Sequence, residues 1–141
     1  MSLKIFFDTN VVLDLILERE PFLDTATLFV KEALMQSCTL QTSALSAVNI
    51  SYTTRKTHNS AKAKIAVTAI LQNFIVSPID QKIITLAHSA NWKDFEDAVQ
   101  YFSAIQDNAD AIITRNQKDY EENKIPILSP EEGLQWLREV K

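Results

Sequence analysis

Short apolar segments alternate along the sequence with longer segments of helical character. The short segments are predicted strands, at residues 3–7, 39–42, 74–77, 111–114 and 126–128. The longer ones are predicted helices, at residues 10–18, 21–35, 43–56, 60–73, 80–90, 94–106 and from 129 onward, with a helical turn at 117–121. Strands that alternate with helices indicate a mainly parallel central sheet covered by helices on both faces. The predicted fold is a three-layer α/β/α sandwich, formed by residues 1–141 as a single domain.

Start signals mark several of the predicted helices. Ser43, Ser60 and Ser129 stand where an N-cap is expected, because a serine hydroxyl accepts a hydrogen bond from a free N–H of the first turn. Pro21 and Pro130 suit the first helical position, where the missing N–H does no harm. These residues set where the four helices are predicted to begin.

Composition excludes several kinds of site. The 141 residues are 46% hydrophobic and 23% charged, as in an ordinary globular domain, and no apolar run is long enough to span a bilayer. Gly133 is the single glycine, which excludes a glycine-rich phosphate-binding loop. Cys38 is the single cysteine and His58 and His88 are the only histidines, which excludes a zinc cluster of these residues and a disulfide framework. Cys38 is expected to be buried, and its isolation, with no export leader after Met1, suggests a cytoplasmic protein that does not enter a membrane.

Charge is unevenly distributed. The formal net charge is -4, yet the stretch between Glu32 and Asp80 contains no acid. Four basic residues lie in that stretch, and they are Arg55, Lys56, Lys62 and Lys64. One interpretation is a basic surface that binds a nucleic-acid backbone beside an acidic centre neutralised by cations. The other is a solvated pair of helices with its basic residues facing outward.

Polar residues follow several of the predicted strands. Asp8 comes directly after the first strand, Ser43 after the second, and Thr114 and Asn116 after the fourth. Ligands of an open parallel sheet bind beyond the carboxyl ends of its strands. An ionised Asp8 beside a buried strand must be paired or coordinated, unless it only accepts a hydrogen bond from a following N–H in the turn.

Two carboxylates lie three residues apart at the start of the predicted helix 94–106. Asp94 and Asp97 are neighbours at this spacing, whereas Glu96 is predicted to point to the opposite side. The buried stripe of this helix is predicted to contain Phe95, Ala98, Val99, Phe102 and Ile105. Like charges at the border of a core repel unless a cation or a proton lies between them. The alternative is that Asp94 caps the helix and Asp97 complements its dipole.

Asn49 raises a similar question in the helix that follows the second strand. Leu45, Val48 and Tyr52 form a predicted inward face, and Asn49 lies four residues after Leu45 on it. An amide that faces the interior needs hydrogen-bond partners. It either joins two helices in the core or belongs to the site.

Two further acids are weaker candidates for the site. Asp119 follows Asn116 by three residues, with Arg115 and Lys118 beside it as predicted phosphate contacts, although it equally suits an ordinary surface position. Asp14 is predicted to lie on a helix surface or to pair with Arg19.

Asp8, Asp94, Asp97 and Asp119 together form a predicted carboxylate cluster. Oxygen ligands of this kind suit Mg²⁺ or Mn²⁺. Such a cation lowers the pKa of bound water and orients it for attack on a phosphodiester. The cluster therefore predicts a metal-dependent hydrolase of phosphate esters.

At these residues the chain resembles the PIN domain family of metal-dependent nucleases. Residues 6–14, FFDTNVVLD, look like the first acidic motif of that family; DFEDAVQY at residues 94–101 resembles the third, and IITRNQKDY at residues 112–120 the fourth. The SPEE segment at residues 129–132 is similar to the usual closing segment. The resemblance implies a PIN-like fold and a ribonuclease dependent on Mg²⁺ or Mn²⁺. It also implies RNA as substrate, an antitoxin as partner in a bacterial toxin–antitoxin pair, and a homodimer.

The resemblance also implies roles for individual residues. Asp8 would be the first metal ligand and Asp97 the third acid, with Asp94 assisting. Asn116 and Asp119 would stand at the fourth position. In supporting roles, the side chains expected to orient Asp8 or to position water and phosphate are Thr9, Asn10, Thr114 and Asn116.

The sequence departs from the family at the second motif, where many relatives have a glutamate and this chain has Asn49. The leading hypothesis is a metal-dependent endoribonuclease whose basic stretch binds the RNA backbone. Because a neutral amide binds a hard cation less strongly than a carboxylate does, the alternative is a non-catalytic module that binds RNA or a protein. A phosphatase with Asp8 as nucleophile is a third reading, but Asn10 lacks the carboxylate that it would need as an acid.

Overall fold

Five parallel strands form the centre of the molecule. In the computed structural model, which describes residues 2–140, the strands are β1 Lys4–Phe7, β2 Thr39–Ser43, β3 Ile75–Ser77, β4 Ala111–Ile113 and β5 Ile127–Leu128. Their order in the sheet is β3-β2-β1-β4-β5, and every neighbouring pair is parallel. β1 is therefore the central strand, with β4 at its side.

Helices connect the strands and cover both faces of the sheet. They are α1 Thr9–Ile16, α2 Leu23–Met35, α3 Ala44–Thr57, α4 Ser60–Asn73, α5 Gln81–Ala90, α6 Phe95–Gln106 and α7 Pro130–Glu139, with a 3-10 turn at Gln117–Asp119. This arrangement confirms the predicted three-layer α/β/α sandwich with a parallel sheet. Among residues 2–140, no helix combines the length and the apolar character needed to cross a bilayer.

The alternating side chains of β1 divide the interior into two cores. Ile5 and Phe7 pack on one face, against apolar residues of α1, α2, α4 and α7. Phe6 packs on the other face, against α5 and α6. The same division holds for β4, where Ile113 belongs to the first core and Ile112 to the second. Since β1 and β4 are buried on both faces, the polar residues that follow them lie at the edge of the core.

Most predicted helix boundaries agree with the structure. The Ser43 hydroxyl accepts a hydrogen bond from Ser46 N, and Ser129 and Glu132 form a reciprocal capping box. Two predictions were wrong. Asn59, not Ser60, caps α4, because its side chain accepts from Lys62 N. Pro21 precedes α2, which begins at Leu23.

The single glycine lies at a close approach between helices. A Cβ at Gly133 of α7 would lie 2.6 Å from a ring carbon of Phe29 on α2. A larger residue would therefore separate α7 from the first core. Cys38 is buried, as predicted from the sequence.

The predicted inward face of α3 was wrong. Val48 is 66% exposed and Tyr52 is also exposed, because the buried side of that helix is formed by Ser46, Ile50 and Thr54.

The predicted buried stripe of α6 was wrong at one residue. Phe95 is 47% exposed. The other four residues pack in the second core or against it; they are Ala98, Val99, Phe102 and Ile105.

Candidate active site

A cleft of about 350 Å³ lies at the carboxyl ends of β1 and β4, between α3 and α6. It is the place where a parallel sheet offers its loops and helix N-termini to a ligand. Predicted site residues that line it are Asp8, Thr9, Asn10, Asn49, Asp94, Asp97, Asn116 and Asp119. The structure thus brings together carboxylates that are up to 111 residues apart in the chain.

Asp8 is the most firmly held carboxylate of the cleft. It is 4% exposed and forms the N-cap of α1, where one carboxylate oxygen accepts from Thr9 N at 2.7 Å. The other oxygen accepts from the Thr114 hydroxyl at 2.7 Å, and that hydroxyl accepts in turn from Asn116 N at 3.0 Å. Within residues 2–140 the ion pairs both involve Asp14, so Asp8 is buried without a basic partner. Thr114 thus contacts Asp8 directly, and Asn116 contacts Thr114.

Gln100 of α6 is a central residue of the site that sequence reasoning missed. It is 2% exposed, and its amide nitrogen lies 3.3 Å from Asp8 Oδ1, 3.0 Å from Thr9 Oγ1 and 2.7 Å from Ser46 Oγ. Its amide oxygen accepts from the Ser43 hydroxyl. Gln100 therefore joins the ends of β1 and β2 to α6. A signal did exist in the sequence, since Gln100 is a polar residue one helical turn after Asp97.

Asp94 and Asp97 stand at the N-terminus of α6. Asp94 caps the helix by accepting from Asp97 N at 3.2 Å, as the alternative interpretation expected. Burial and the charges of neighbouring carboxylates together raise the pKa of Asp97 to about 7; these carboxylates are Asp8, Asp94, Asp119 and Glu96. The cap and the electrostatic cluster therefore coexist. A proton or a cation at Asp97 relieves the repulsion.

Tyr120 was also missed. It is 9% exposed, and its hydroxyl has no hydrogen-bond partner within the described part of the chain. Burial raises the pKa of this phenol well above its ordinary value, and the charges of Asp8 and Asp97 act in the same direction. Tyr120 therefore presents an unused donor to the carboxylates of the cleft.

Glu96 does not point away from the other acids, which corrects the sequence prediction. It lines the cleft together with Asn49, and its Oε2 lies 3.5 Å from the Asn49 side-chain nitrogen. Asn49 is half-buried on the wall of the cleft and is not a core amide between two helices. Glu96 is itself exposed, so it stands at the rim of the cleft.

Arg115 was predicted to contact phosphate, but its guanidinium is bound elsewhere. Its Nε lies 2.7 Å from Asp14 Oδ2, and its Cζ lies 3.7 Å above the centre of the Phe22 ring. Asp14 also pairs with Arg19 at 2.9 Å, as predicted, yet it is 1% exposed and not a surface residue. The charge of Arg115 is needed inside the fold to neutralise Asp14.

The remaining predicted basic residues lie on exposed surfaces. Arg55 and Lys56 stand at the end of α3, with their charged groups 5.8 Å and 5.6 Å from the centre of the Tyr52 ring. Lys62 and Lys64 are exposed on α4. Since Tyr52 lines the cleft, Arg55 and Lys56 stand near its rim.

Lys118 lines a second cleft of about 360 Å³, which shares Asp94 and Asp119 with the first. Lys93 and Glu121 complete its lining. Lys118 therefore stands beside the acids and not across the molecule from them.

The donors of the main cleft fit a hard divalent cation held partly by water. Within residues 2–140, no three His, Cys, Asp or Glu side chains form a tight metal-ligand group. Mg²⁺ is commonly bound through one or two carboxylates and retains several waters. The carboxylate, hydroxyl and amide oxygens in the lining, and the repulsion that raises the pKa of Asp97, agree with that mode of binding.

Comparisons with known proteins place the fold. The chain is similar to a chain of a toxin–antitoxin complex from Klebsiella pneumoniae, with a TM-score of 0.67 and 21% identity over 89% of this chain and 97% of that one. VapBC-1 from nontypeable Haemophilus influenzae gives a TM-score of 0.70 and 15% identity over 92% of this chain and 99% of that one. VapC20 of Mycobacterium tuberculosis, described as a sarcin–ricin loop cleaving toxin, gives a TM-score of 0.62 and 15% identity over 77% of this chain and 86% of that one. Identities this low show a shared fold.

Sequence comparison decides the family. No curated protein sequence matches the chain significantly. The family model of the PIN domain, however, matches residues 4–118, which include β1 to β4 and every acid of the cleft apart from Asp119. The chain therefore belongs to the PIN domain family.

Proposed function

We propose that this protein is an endoribonuclease that depends on Mg²⁺ or Mn²⁺ and acts as the toxin of a toxin–antitoxin pair in the cytoplasm. One observation carries the proposal. Carboxylates from the end of β1, the start of α6 and the turn after β4 converge on a single cleft, in which no basic side chain among residues 2–140 forms an ion pair with them. A cluster of this kind is unfavourable unless a cation binds to it.

Asp8, Asp94, Asp97 and Asp119 are the residues proposed to hold the cation. Such a cation supplies Lewis acidity, which activates water near neutral pH and stabilises the charge on a departing oxygen. Asp8 suits a fixed ligand because Thr9 and Thr114 already orient its two oxygens. Asn116 and Asn10 line the cleft and are proposed to position water or phosphate.

The proposed reaction is hydrolysis of an RNA phosphodiester. A bond forms between the water oxygen and phosphorus, and the bond from phosphorus to the leaving ribose oxygen breaks. The water loses a proton and the leaving oxygen gains one. A carboxylate oxygen of Asp97 that does not hold the cation is suited to take up the proton.

RNA is the proposed substrate and the basic surface is its proposed binding region. The residues assigned to it are Arg55, Lys56, Lys62, Lys64 and Lys118, all exposed. They counter the repulsion between a polyanion and the acidic cleft. Arg115 is left out because Asp14 holds its guanidinium.

An antitoxin and a second copy of the chain are the proposed protein partners. The support is the fold shared with chains solved within toxin–antitoxin complexes from Klebsiella pneumoniae and Haemophilus influenzae. An antitoxin bound to the chain would be expected to suppress cleavage.

The substitution Asp8→Asn tests the proposal. Asparagine keeps the size of the side chain but removes its charge, so we expect a folded protein that no longer cleaves RNA in the presence of Mn²⁺. Asp24→Asn, an exposed change on α2, is the matched control and should retain cleavage. Cleavage by a carefully purified Asp8→Asn protein at the rate of the parent protein would refute the proposal.

A non-catalytic binding module is the second candidate. It is favoured by the neutral Asn49 on the wall of the cleft. Calorimetric titration with Mn²⁺ separates the two. Binding that Asp97→Asn removes supports the nuclease, whereas no binding at millimolar metal together with no cleavage supports the module.

A further inference from the structure

We infer that Glu96 is a working carboxylate of the cleft, held toward it by Asn49 and acting from α6 as an additional oxygen ligand of the bound divalent cation. The inference rests on the proposed function. It assigns a role to a residue that the sequence had placed on the far side of the helix.

The first argument is the position of Glu96. Its carboxylate contacts the Asn49 side-chain nitrogen at 3.5 Å, so the amide directs the carboxylate across the space between α3 and α6. Both residues line the cleft that contains Asp8 and Asp97. On the α3 side of the cleft Asn49 presents a neutral amide, and Glu96 brings a negative charge next to it from the α6 side.

The second argument is the electrostatics at the start of α6. Glu96 is exposed at the rim of a cleft that four other acids also line. An exposed glutamate in the first turn of a helix interacts favourably with the helix dipole in many side-chain conformations. The observed conformation, with the carboxylate toward Asn49, keeps Glu96 on the wall of the cleft among acids that repel it, and a cation in the cleft offsets that repulsion.

A third observation indicates a ligand beside Asp8 and Asp97, the carboxylates that would share the cation with Glu96. The Tyr120 hydroxyl is buried beside Asp8 and Asp97, and it has no partner among residues 2–140. Buried hydroxyl groups ordinarily form hydrogen bonds. A water held in the cleft by a cation is a suitable acceptor for this donor.

The test uses Glu96→Gln and an exchange variant, Asn49→Glu with Glu96→Gln, which moves the carboxylate from α6 to α3. Mn²⁺ affinity of the full chain is measured by calorimetry, and Mn²⁺-dependent RNA cleavage is followed in parallel. We expect Glu96→Gln to weaken Mn²⁺ binding by roughly tenfold, as for other residues that support a metal site. The exchange variant should recover most of that loss.

Glu131→Gln is the matched control. Glu131 is exposed and occupies the same position in the first turn of α7 that Glu96 occupies in α6. Both variants lose a similar interaction with the helix dipole, but only Glu96→Gln should change Mn²⁺ affinity.

The failures of the two proposals are distinguishable. If the parent protein binds Mn²⁺ and cleaves RNA while Glu96→Gln binds Mn²⁺ as tightly, the inference about Glu96 is overturned and the proposed function stands. An exchange variant that recovers no affinity would overturn the pairing of Asn49 with Glu96. If the parent protein neither binds Mn²⁺ nor cleaves RNA, both proposals fail.

Discussion

Arg115 forms an ion pair with the buried Asp14, with 2.7 Å between Nε and Oδ2 and 3.2 Å between the second nitrogen and Oδ1. The pair joins the segment after β4 to α1, across 101 positions of the chain. Thr114, next to Arg115, contacts Asp8, and Asp8 caps α1. The ion pair therefore joins the two segments that position Asp8, namely α1 and the segment after β4.

Arg115→Ala should destabilise the protein. Asp14 is 1% exposed and would keep only Arg19 as a basic partner, so we expect a loss of about 2 kcal/mol in the free energy of unfolding. Urea denaturation followed by circular dichroism measures the loss. Arg115→Lys should restore little of it, because an ammonium group cannot replace the two-point contact of a guanidinium.

Arg138→Ala is the control for this prediction, since Arg138 is exposed on α7. It should leave the unfolding midpoint almost unchanged. Equal stability of Arg115→Ala and Arg138→Ala would show that the ion pair adds nothing to the fold.

Gln100→Leu should impair both the fold and the site. The change keeps an apolar stem of similar size but leaves the hydroxyl groups of Ser43 and Ser46 without their amide partner. We expect a loss of about 2 kcal/mol in stability, and a decrease of roughly tenfold in Mn²⁺ affinity, because Asp8 loses a supporting donor. Thermal unfolding and calorimetry measure the two effects. Gln135→Leu, at an exposed position of α7, is the control and should change neither quantity. Unchanged Mn²⁺ affinity in Gln100→Leu would contradict a role of Gln100 in positioning Asp8.

The position of Asp8 was predictable from the sequence because two strong rules agree there. An apolar run buried in a parallel sheet must end, and a polar residue at that end lies on the ligand-binding edge. The same rules applied to Thr114 and Asn116, which the structure places in contact around the Thr114 hydroxyl. Strand position alone was sufficient for these residues, without any knowledge of side-chain packing.

Gln100 and Glu96 were not predictable in this way. Burial of the Gln100 amide depends on partners 54 and 92 residues away, so a rule that places polar residues outside fails for it. Glu96 was misplaced because helix geometry alone set its predicted direction, whereas its carboxylate faces Asn49 of α3, 47 residues away. That contact is a tertiary feature, which the sequence of α6 does not contain.

Asp97 gives a prediction about pH. Its pKa in the folded protein is about 7, above the ordinary value of 3.8, so the folded state binds more protons than the unfolded state between those values. Stability of the metal-free protein should therefore fall as pH rises through that range. Asp97→Asn should remove this dependence and stabilise the metal-free protein at pH 8, by on the order of 1 kcal/mol for a half-buried group that solvent still screens.

Thermal unfolding in EDTA across this pH range measures the effect. Asp24→Asn serves as the control, because Asp24 is exposed on α2. The same Asp97→Asn variant should lose the stabilisation that Mn²⁺ gives to the parent protein at high pH. A parent protein whose stability in EDTA rises steadily with pH in this window would contradict the raised pKa.

The basic surface gives the last prediction, which concerns salt. Binding of single-stranded RNA releases counterions, and each neutralised phosphate contributes about 0.7 to the slope of log affinity against log salt. Replacing the four basic residues of α3 and α4 by glutamine should lower that slope by up to about 3; these residues are Arg55, Lys56, Lys62 and Lys64. Fluorescence anisotropy with the Asp8→Asn protein as background measures binding without cleavage.

Lys31 and Lys82, exposed on α2 and α5, are replaced together as the control and should leave the slope unchanged. Since none of the four lines the acidic cleft, their replacement should leave Mn²⁺ affinity unchanged in the otherwise unaltered protein. An unchanged salt slope would instead favour the view that these side chains are only a solvated surface of the helix pair.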